Sequence, residues 1–110
     1  MNLNNKKFKL VSNSENGQVD ASTIFEYVQT DNKFKGVYSD DQIVYSSIVG
    51  IINSPDDIYL TYHCILKDGT INVGDAKATA TMVNEKIKLS LDWKWLTGGK
   101  GAGTSEYIEI

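Results

Sequence analysis

The sequence predicts an all-β domain, an eight-stranded antiparallel up-and-down β-barrel, and three observations point to that fold. Residues that favour strands are abundant, since 8 Val, 11 Ile, 8 Thr and 11 aromatic residues stand against 14 Leu, Met and Ala residues. Turn-forming residues recur at nearly even intervals. The segments between the turns alternate with period two, and none shows sustained helical periodicity. A chain of 110 residues is expected to form a single domain, residues 1–110.

Eight strands are predicted, each bounded by residues that favour turns. Asn16-Gly17 and Asp68-Gly69 are typical of tight β-hairpins, and the only proline, Pro55, lies in a loop that cannot continue a central strand. The short connections leave no room for crossover helices, so neighbouring strands are expected to be antiparallel. The predicted strands are residues 6–13, 19–30, 34–39, 42–52, 58–66, 71–83, 87–95 and 104–110.

Most of these strands have one face that is expected to point inward. The fifth strand carries an apolar face, the sixth a face of small residues, and the seventh a wholly apolar face that ends in two tryptophans. On the third strand, Phe34, Gly36 and Tyr38 share one side. The inward sets of the fifth, sixth and seventh strands are Ile58, Leu60, Tyr62, Cys64 and Leu66; Asn72, Gly74, Ala76, Ala78, Ala80 and Met82; and Ile87, Leu89, Leu91, Trp93 and Trp95.

The fourth strand, Gln42 to Ile52, differs because it is apolar on both faces. This pattern predicts burial on both sides, and it raises the hypothesis of a homo-oligomer that forms through this strand. The two faces are Ile43, Tyr45, Val49 and Ile51 on one side and Val44, Ile48 and Ile52 on the other.

Eight antiparallel strands can close into a barrel whose interior is filled by side chains or holds one small ligand. An open sandwich of two sheets has the same periodicity and stays an alternative.

Several short motifs resemble those of a family of small bacterial β-barrel proteins of unknown function. The motifs cover nearly the whole chain, and the resemblance implies an avidin-like or lipocalin-like barrel. They are Gly36-Val37-Tyr38-Ser39, Ile48-Val49-Gly50, Leu60-Thr61-Tyr62, Lys86-Ile87-Lys88-Leu89, Trp93-Lys94-Trp95 and Gly103-Thr104-Ser105 with Tyr107-Ile108-Glu109-Ile110.

Members of that family often carry the name N-acetylglutamate synthase, which does not fit this sequence. Such an acetyltransferase needs a glycine-rich cradle for a pyrophosphate at a helix N-terminus and a larger α/β scaffold. The sequence predicts neither feature, so we interpret the name as an error and expect no enzymatic activity.

Charge and cysteine content narrow the expected partners. The net charge is −3 and all 11 basic residues are lysines, so the bidentate guanidinium that reads guanine or phosphate is absent and nucleic acid is not expected. No apolar run is long enough for a membrane span. The single Cys64 and the polar N-terminal segment, which resembles no signal peptide, predict a cytoplasmic protein without disulfides.

Catalytic and metal sites are not predicted. His63 and Cys64 are adjacent, so on a strand their side chains point to opposite faces and cannot act as a nucleophile–base pair. One His and one Cys are also too few for a typical zinc site. The loop from Gly98 to Gly103 is not a cofactor motif, because it joins two strands and lacks phosphate-loop spacing. Acidic pairs such as Asp56-Asp57 are interpreted as turn residues.

Tyr38, Tyr62, Trp93 and Trp95 are the candidate ligand-binding residues. Aromatic walls with a few polar tips are typical of small-molecule pockets, and the small residues of the sixth strand leave room beside the indoles. Core filling competes with this interpretation, because side chains alone can pack an eight-stranded barrel. The sequence therefore leaves two functions open: a barrel that binds a small apolar or mixed ligand, and an oligomerisation or protein-interaction module.

Overall fold

The chain forms a closed antiparallel barrel of eight strands in the computed structural model, which describes residues 2–13, 23–39, 41–97 and 101–110. Each strand pairs with the next, and β8 pairs with β1, so the predicted barrel is confirmed and the open sandwich is excluded. The strands are β1 (Lys6–Asn13), β2 (Ile24–Thr30), β3 (Lys33–Ser39), β4 (Ile43–Ser54), β5 (Asp57–Leu66), β6 (Ile71–Val83), β7 (Lys86–Thr97) and β8 (Ala102–Glu109).

The predicted strand bounds agree closely with these ranges. β1 and β6 have the predicted ends, and β3, β4, β5, β7 and β8 differ by one or two residues at an end. The described part of β2 begins at Ile24, whereas the predicted strand begins at residue 19, and residues 19–22 lie outside the described residues. The Asn16-Gly17 turn, Asp40 and the first half of the Gly98 to Gly103 loop also lie outside them.

Three aromatic rings lie across glycines of the neighbouring strand inside the barrel. In each pair the two residues are directly opposite in the sheet, and a Cβ added to the glycine would overlap the ring. The glycines therefore make room for rings that fill a narrow interior, an arrangement that also helps a sheet to curve. The pairs are Tyr27 with Gly36, Phe34 with Gly50, and Tyr62 with Gly74.

The two ends of the barrel differ. The C-terminal ends of β1, β3, β5 and β7 lie at one end, here called the loop end, and those of β2, β4 and β6 lie at the other, the closed end. At the closed end Leu3 is only 1% exposed. Its N–H donates to Oε1 of Gln29, and its carbonyl accepts from the N–H of Lys6. The N-terminal turn thus covers the closed end with an apolar side chain.

The structure corrects the prediction for β4. A bulge between Ile43 and Tyr45 interrupts its pairing with β5, so Val44 does not share the inward face and is 52% exposed. Ile48 and Ile52 do point inward, but the opposite face is open to solvent, where Tyr45 is 70% exposed. The prediction of burial on both faces is therefore wrong for the single chain, because a barrel wall has only one inner side.

The inward faces of β5, β6 and β7 follow the prediction with one exception. The side chains from Ile58 to Cys64 that alternate inward are buried, and so are Trp93 and the small residues of β6. Met82 was expected to share the inward face of β6, yet it is 64% exposed. It lies next to the turn at the closed end, where β6 reaches the rim of the barrel.

Candidate functional site

The barrel interior changes its chemistry along its axis. Towards the closed end the buried side chains are apolar, as for Phe8, Ile58 and Ile87. The buried polar residues of the described chain all lie towards the loop end, at the ends of β2, β6 and β8 nearest to the loops. They are Thr23, Asn72 and Ser105. Polar groups that line only one half of the interior suit a site that opens at the loop end.

Three of the four predicted site residues meet in this half. The ring of Tyr62 lies edge-on to the indole of Trp95, with 5.2 Å between the ring centres. Trp93 and Trp95 are also edge-on, with 6.1 Å between the centres. Tyr62 and Trp93 are buried, and Trp95 is half-buried. These three residues, named here the indole cluster, form one wall of the loop-end interior.

The fourth predicted residue, Tyr38, belongs to a second aromatic group. Its ring stacks on Phe25 at 5.2 Å, and Phe25 lies 4.6 Å from Tyr107 between ring centres. Neither Phe25 nor Tyr107 is among the candidate ligand-binding residues that the sequence predicts. The alternation along β2 and β8 could have predicted that both side chains point inward, because each lies two residues from a buried neighbour on the same strand.

The polar tips of these rings are mostly occupied by the protein itself. Nε1 of Trp93 donates to Oγ of Ser105 at 2.7 Å. The hydroxyl of Tyr62 donates to the carbonyl of Lys94 at 2.9 Å, which fixes the ring. Nε1 of Trp95 differs from both, because it is buried and none of the described residues places an acceptor within hydrogen-bond distance of it. An unsatisfied buried donor is costly, so this N–H is the group that a ligand would satisfy.

The interior keeps its tyrosines neutral. Burial raises the pKa of Tyr38 and of Tyr62 well above the ordinary value, with smaller contributions from neighbouring groups such as Cys64. Burial also raises the pKa of Tyr107 to about 12, although a hydrogen bond with Ser105 opposes the shift. No charged side chain is buried in the part of the chain that the structure describes. The site therefore offers neutral donors and apolar surface and disfavours ions.

The adjacent His63 and Cys64 diverge as predicted. Cys64 is a buried free thiol, whereas His63 lies on the outer wall and is exposed. The interpretation that they form no catalytic pair is consistent with this geometry. Among the described residues, no group of three or more His, Cys, Asp or Glu side chains could hold a metal ion.

The remaining sequence motifs show no site geometry in the parts that the structure describes. The loop after β7 joins two strands, as expected of a hairpin connection rather than a phosphate loop. Asp56 is exposed in the turn between β4 and β5, and the carboxylate of the following Asp57 accepts from Nδ2 of Asn53 at 3.4 Å. No helix capable of crossing a membrane occurs within the described ranges.

Comparison with known proteins identifies the family. The family model described as avidin-like protein matches residues 1–110. Neither the curated proteins nor the solved structures contain a match. Since the family match spans all 110 residues and the closed barrel agrees with it, the chain belongs to the avidin-like protein family.

Proposed function

We propose that this protein binds a small apolar or mixed ligand in the loop-end half of the barrel, without catalysing a reaction. The observation that carries the proposal is the buried N–H of Trp95, which has no acceptor among the described residues although it lies in a wall of aromatic rings. A ligand with a carbonyl or ether oxygen at this position would accept from Nε1 and contact the rings of Tyr62 and Trp93 with its apolar part.

Membership of the avidin-like family supports binding rather than catalysis. Proteins of this family bind small molecules, biotin among them. The chemistry of the interior agrees with such a role, because burial keeps Tyr38 and Tyr62 neutral. The ligand we expect is uncharged in the part that enters the barrel, since the cost of burying an unpaired charge there would be large.

Fluorescence of the two tryptophans tests the proposal directly, because both belong to the indole cluster. The protein is titrated with biotin and, separately, with the apolar dye anilinonaphthalene sulfonate. Binding at the proposed site changes the tryptophan emission at saturation. Trp95→Phe replaces the indole with a smaller aromatic ring that has no N–H. The variant is expected to bind an acceptor-bearing ligand roughly 2- to 10-fold more weakly, which corresponds to the loss of one hydrogen bond.

Trp93→Phe is the matched control, because its N–H is already used by Ser105. Its affinity for the ligand should change less than that of Trp95→Phe. The proposal is overturned if neither probe binds and native mass spectrometry of the freshly purified protein shows only the mass of the bare chain. It is also overturned if ligand affinity is the same with and without the Trp95 indole.

A second candidate function is self-association through the strand predicted as Gln42 to Ile52, now β4. Its outer face exposes Tyr45 by 70%, Val49 by 49% and Ile51 by 44%. Large apolar side chains that share one surface are typical of protein interfaces. Sedimentation velocity over a range of protein concentrations tests this function, and a strict monomer at all concentrations would contradict it.

A further inference from the structure

The polar tips of three aromatic side chains in the loop-end interior are bonded to the barrel wall. The hydroxyl of Tyr38 donates to the carbonyl of His63 at 3.4 Å, and that of Tyr62 donates to the carbonyl of Lys94 at 2.9 Å. Nε1 of Trp93 likewise donates to a side chain of the neighbouring strand β8. Donors that are already bonded to the protein have little to offer a polar ligand atom. These residues therefore present chiefly ring surface to the interior.

Aromatic rings come from two opposite sides of this interior. The indole cluster has two of its members on β7, and Tyr38 is on β3. Three strands separate β3 from β7 in either direction around the closed barrel, so these two strands face each other across the interior. Phe25 on β2 and Tyr107 on β8 add further aromatic surface next to Tyr38. A flat ring that enters from the loop end would therefore meet aromatic side chains on both sides.

Tyr38 is fixed before any ligand arrives. Its backbone N–H donates to Oγ of Ser46 at 2.8 Å, and its carbonyl accepts from the same hydroxyl, so one serine side chain holds both backbone groups. Its ring stacks on Phe25, with 5.2 Å between the ring centres and 25° between the ring planes. Because this stack is already formed, a further ring can join it without the entropy cost of ordering the protein rings.

We infer that the ligand of this site is a flat, uncharged aromatic heterocycle that extends the stack of Phe25 and Tyr38 and accepts a hydrogen bond from Nε1 of Trp95. The inference rests on the proposed function and names the chemical class of its ligand. The described residues supply no acceptor for this N–H, so a carbonyl oxygen or a ring heteroatom of the ligand would complete the bond. Tyr62 and the two indoles meet at 79° and 62°, an edge-on arrangement that suits the rim of a flat ligand.

Saturated and charged ligands fit this chemistry less well. A saturated ring system of the same size is puckered and lacks π-electrons, so each stacked ring pair that it forgoes is expected to cost roughly 2- to 12-fold in affinity. A charged ligand would lie among neutral groups, since burial raises the pKa of Tyr38 and of Tyr62. No buried side chain of the described residues carries a charge that could compensate.

Two lactones of the same size test the aromatic requirement on the unchanged protein. Coumarin is flat and aromatic, whereas octahydrocoumarin has the same carbon and oxygen framework in a saturated, puckered form. Both compounds are uncharged and both carry a carbonyl acceptor for the Trp95 N–H. Isothermal titration calorimetry measures the two dissociation constants. We expect coumarin to bind at least about fivefold more tightly than octahydrocoumarin.

Two variants of Tyr38 locate the stack. Tyr38→Leu removes the ring, so it should bring the affinity for coumarin close to that for octahydrocoumarin, which itself should change less than about twofold. Tyr38→Phe is the matched control, because it keeps the ring and loses only the hydroxyl that is bonded to His63, and it should keep the preference for coumarin. Circular dichroism melting shows whether each variant is folded, and the comparison of the two lactones on the unchanged protein does not depend on either variant.

The results separate this inference from the function on which it rests. Equal affinities for the two lactones, or a preference for coumarin that survives in folded Tyr38→Leu, overturn the inference. Biotin that binds with a dependence on the Trp95 indole, in a protein that does not bind coumarin, overturns the inference and leaves the proposed function intact. A protein that binds none of the probes overturns both.

Discussion

Two tryptophans on one strand have opposite hydrogen-bond states, and this difference defines the candidate site at the scale of single residues. Trp93 and Trp95 both occupy the inward face of β7, but only the Trp93 indole has an acceptor, Oγ of Ser105. The alternation of the strand predicted where both rings point. It carried no information on their polar atoms, because the partner Ser105 is on β8 and its distance depends on the closure of the barrel.

The same difference predicts contrasting effects on stability. Trp93→Phe removes the donor of the 2.7 Å hydrogen bond to Oγ of Ser105 together with part of a buried ring, and it is expected to lower the free energy of unfolding by about 1–3 kcal/mol. Trp95→Phe removes a donor that has no acceptor in the ligand-free protein, so the loss should be smaller by at least about 1 kcal/mol. Urea unfolding of the two variants measures the difference. Equal losses would contradict the assigned hydrogen-bond states.

At the scale of elements, the glycine opposite Tyr62 links the sheet to the site. Gly74→Ala places a Cβ against the Tyr62 ring and the carbonyl of Lys94, which is the acceptor of the Tyr62 hydroxyl. We expect a loss of about 1–3 kcal/mol in the free energy of unfolding from this overpacking. Denaturant unfolding measures the loss, and tryptophan emission should also change because Tyr62 contacts Trp95. An unchanged stability and spectrum would show that Tyr62 does not lie over Gly74.

The closure between β8 and its neighbours involves one carboxylate. Oε1 of Glu109 accepts from the N–H of Ile87 at 3.1 Å, and Oε2 pairs with Nζ of Lys6 at 3.1 Å. The hydrogen bond from Ile87, followed by the contacts with Lys6, lowers the pKa of Glu109 below its ordinary value. A lowered folded-state pKa means that Glu109 adds stability above the unfolded pKa near 4.5, and that this stability is lost as the pH falls through the folded pKa.

Glu109→Gln tests this contribution. At pH 7 the variant should lose about 1 kcal/mol, because the charge-assisted bonds become neutral ones, and the difference from the unchanged protein should shrink below about pH 4. Glu106→Gln is the control, since its 2.7 Å pair with Lys88 lies on the surface and is expected to contribute less than about 0.5 kcal/mol. Denaturant midpoints at both pH values measure these differences. A gap that persists unchanged in acid would contradict the role of ionised Glu109.

β4 shows where prediction from sequence ended. The period-two alternation predicted the strand correctly. It also put Val44 on the same face as Ile48 and Ile52, because such a pattern assumes that the alternation is unbroken. The bulge between Ile43 and Tyr45 shifts the register by one residue and turns Val44 outward. Bulges depend on how two strands pair, so one strand's pattern does not contain them.

At the scale of the whole molecule, the sequence predicted the barrel well and its internal asymmetry poorly. Strand number, strand order and most of the inward faces followed from turns and alternation, which are local. The contrast between an end covered by Leu3 and a loop end that holds Thr23, Asn72 and Ser105 arises only when the strands close, because it depends on which strand ends lie together. The sequence therefore indicated which aromatic residues belong to the candidate site, but it did not indicate the end of the barrel at which the site lies.

The whole barrel should lose stability in alkali. The pKa values of Tyr27, Tyr38, Tyr62 and Tyr107 are raised above 10 in the folded state, chiefly by burial. A raised folded-state pKa contributes stability that is complete below the unfolded value near 10 and is lost as the pH rises through the folded value. Between pH 10 and 12 we expect each buried tyrosine to remove at most about 1.4 kcal/mol per pH unit, and about half of that at pH 10, where the unfolded side chain is only half ionised.

Tyrosine ionisation followed by absorbance, together with urea unfolding at several alkaline pH values, checks this expectation. The four buried tyrosines should ionise only as the barrel unfolds. Tyr107→Phe should reduce the slope of stability against pH by roughly a quarter of the contribution from the four residues. If all tyrosines titrate in a barrel that stays folded at pH 11, the interior is open to solvent and the described burial is contradicted.

Nitrogen-15 NMR of the two indole groups tests the central claim, ligand binding at Trp95, most directly, because the chain has only two tryptophans and hence two indole N–H signals. Assignment follows from Trp93→Phe and Trp95→Phe, and the protein is then titrated with biotin and with anilinonaphthalene sulfonate. We expect a bound ligand to shift the Trp95 signal strongly because its N–H gains an acceptor, whereas the Trp93 signal should move little because its N–H is bonded to Ser105. Binding that leaves the Trp95 signal unmoved would place the ligand elsewhere and contradict the account.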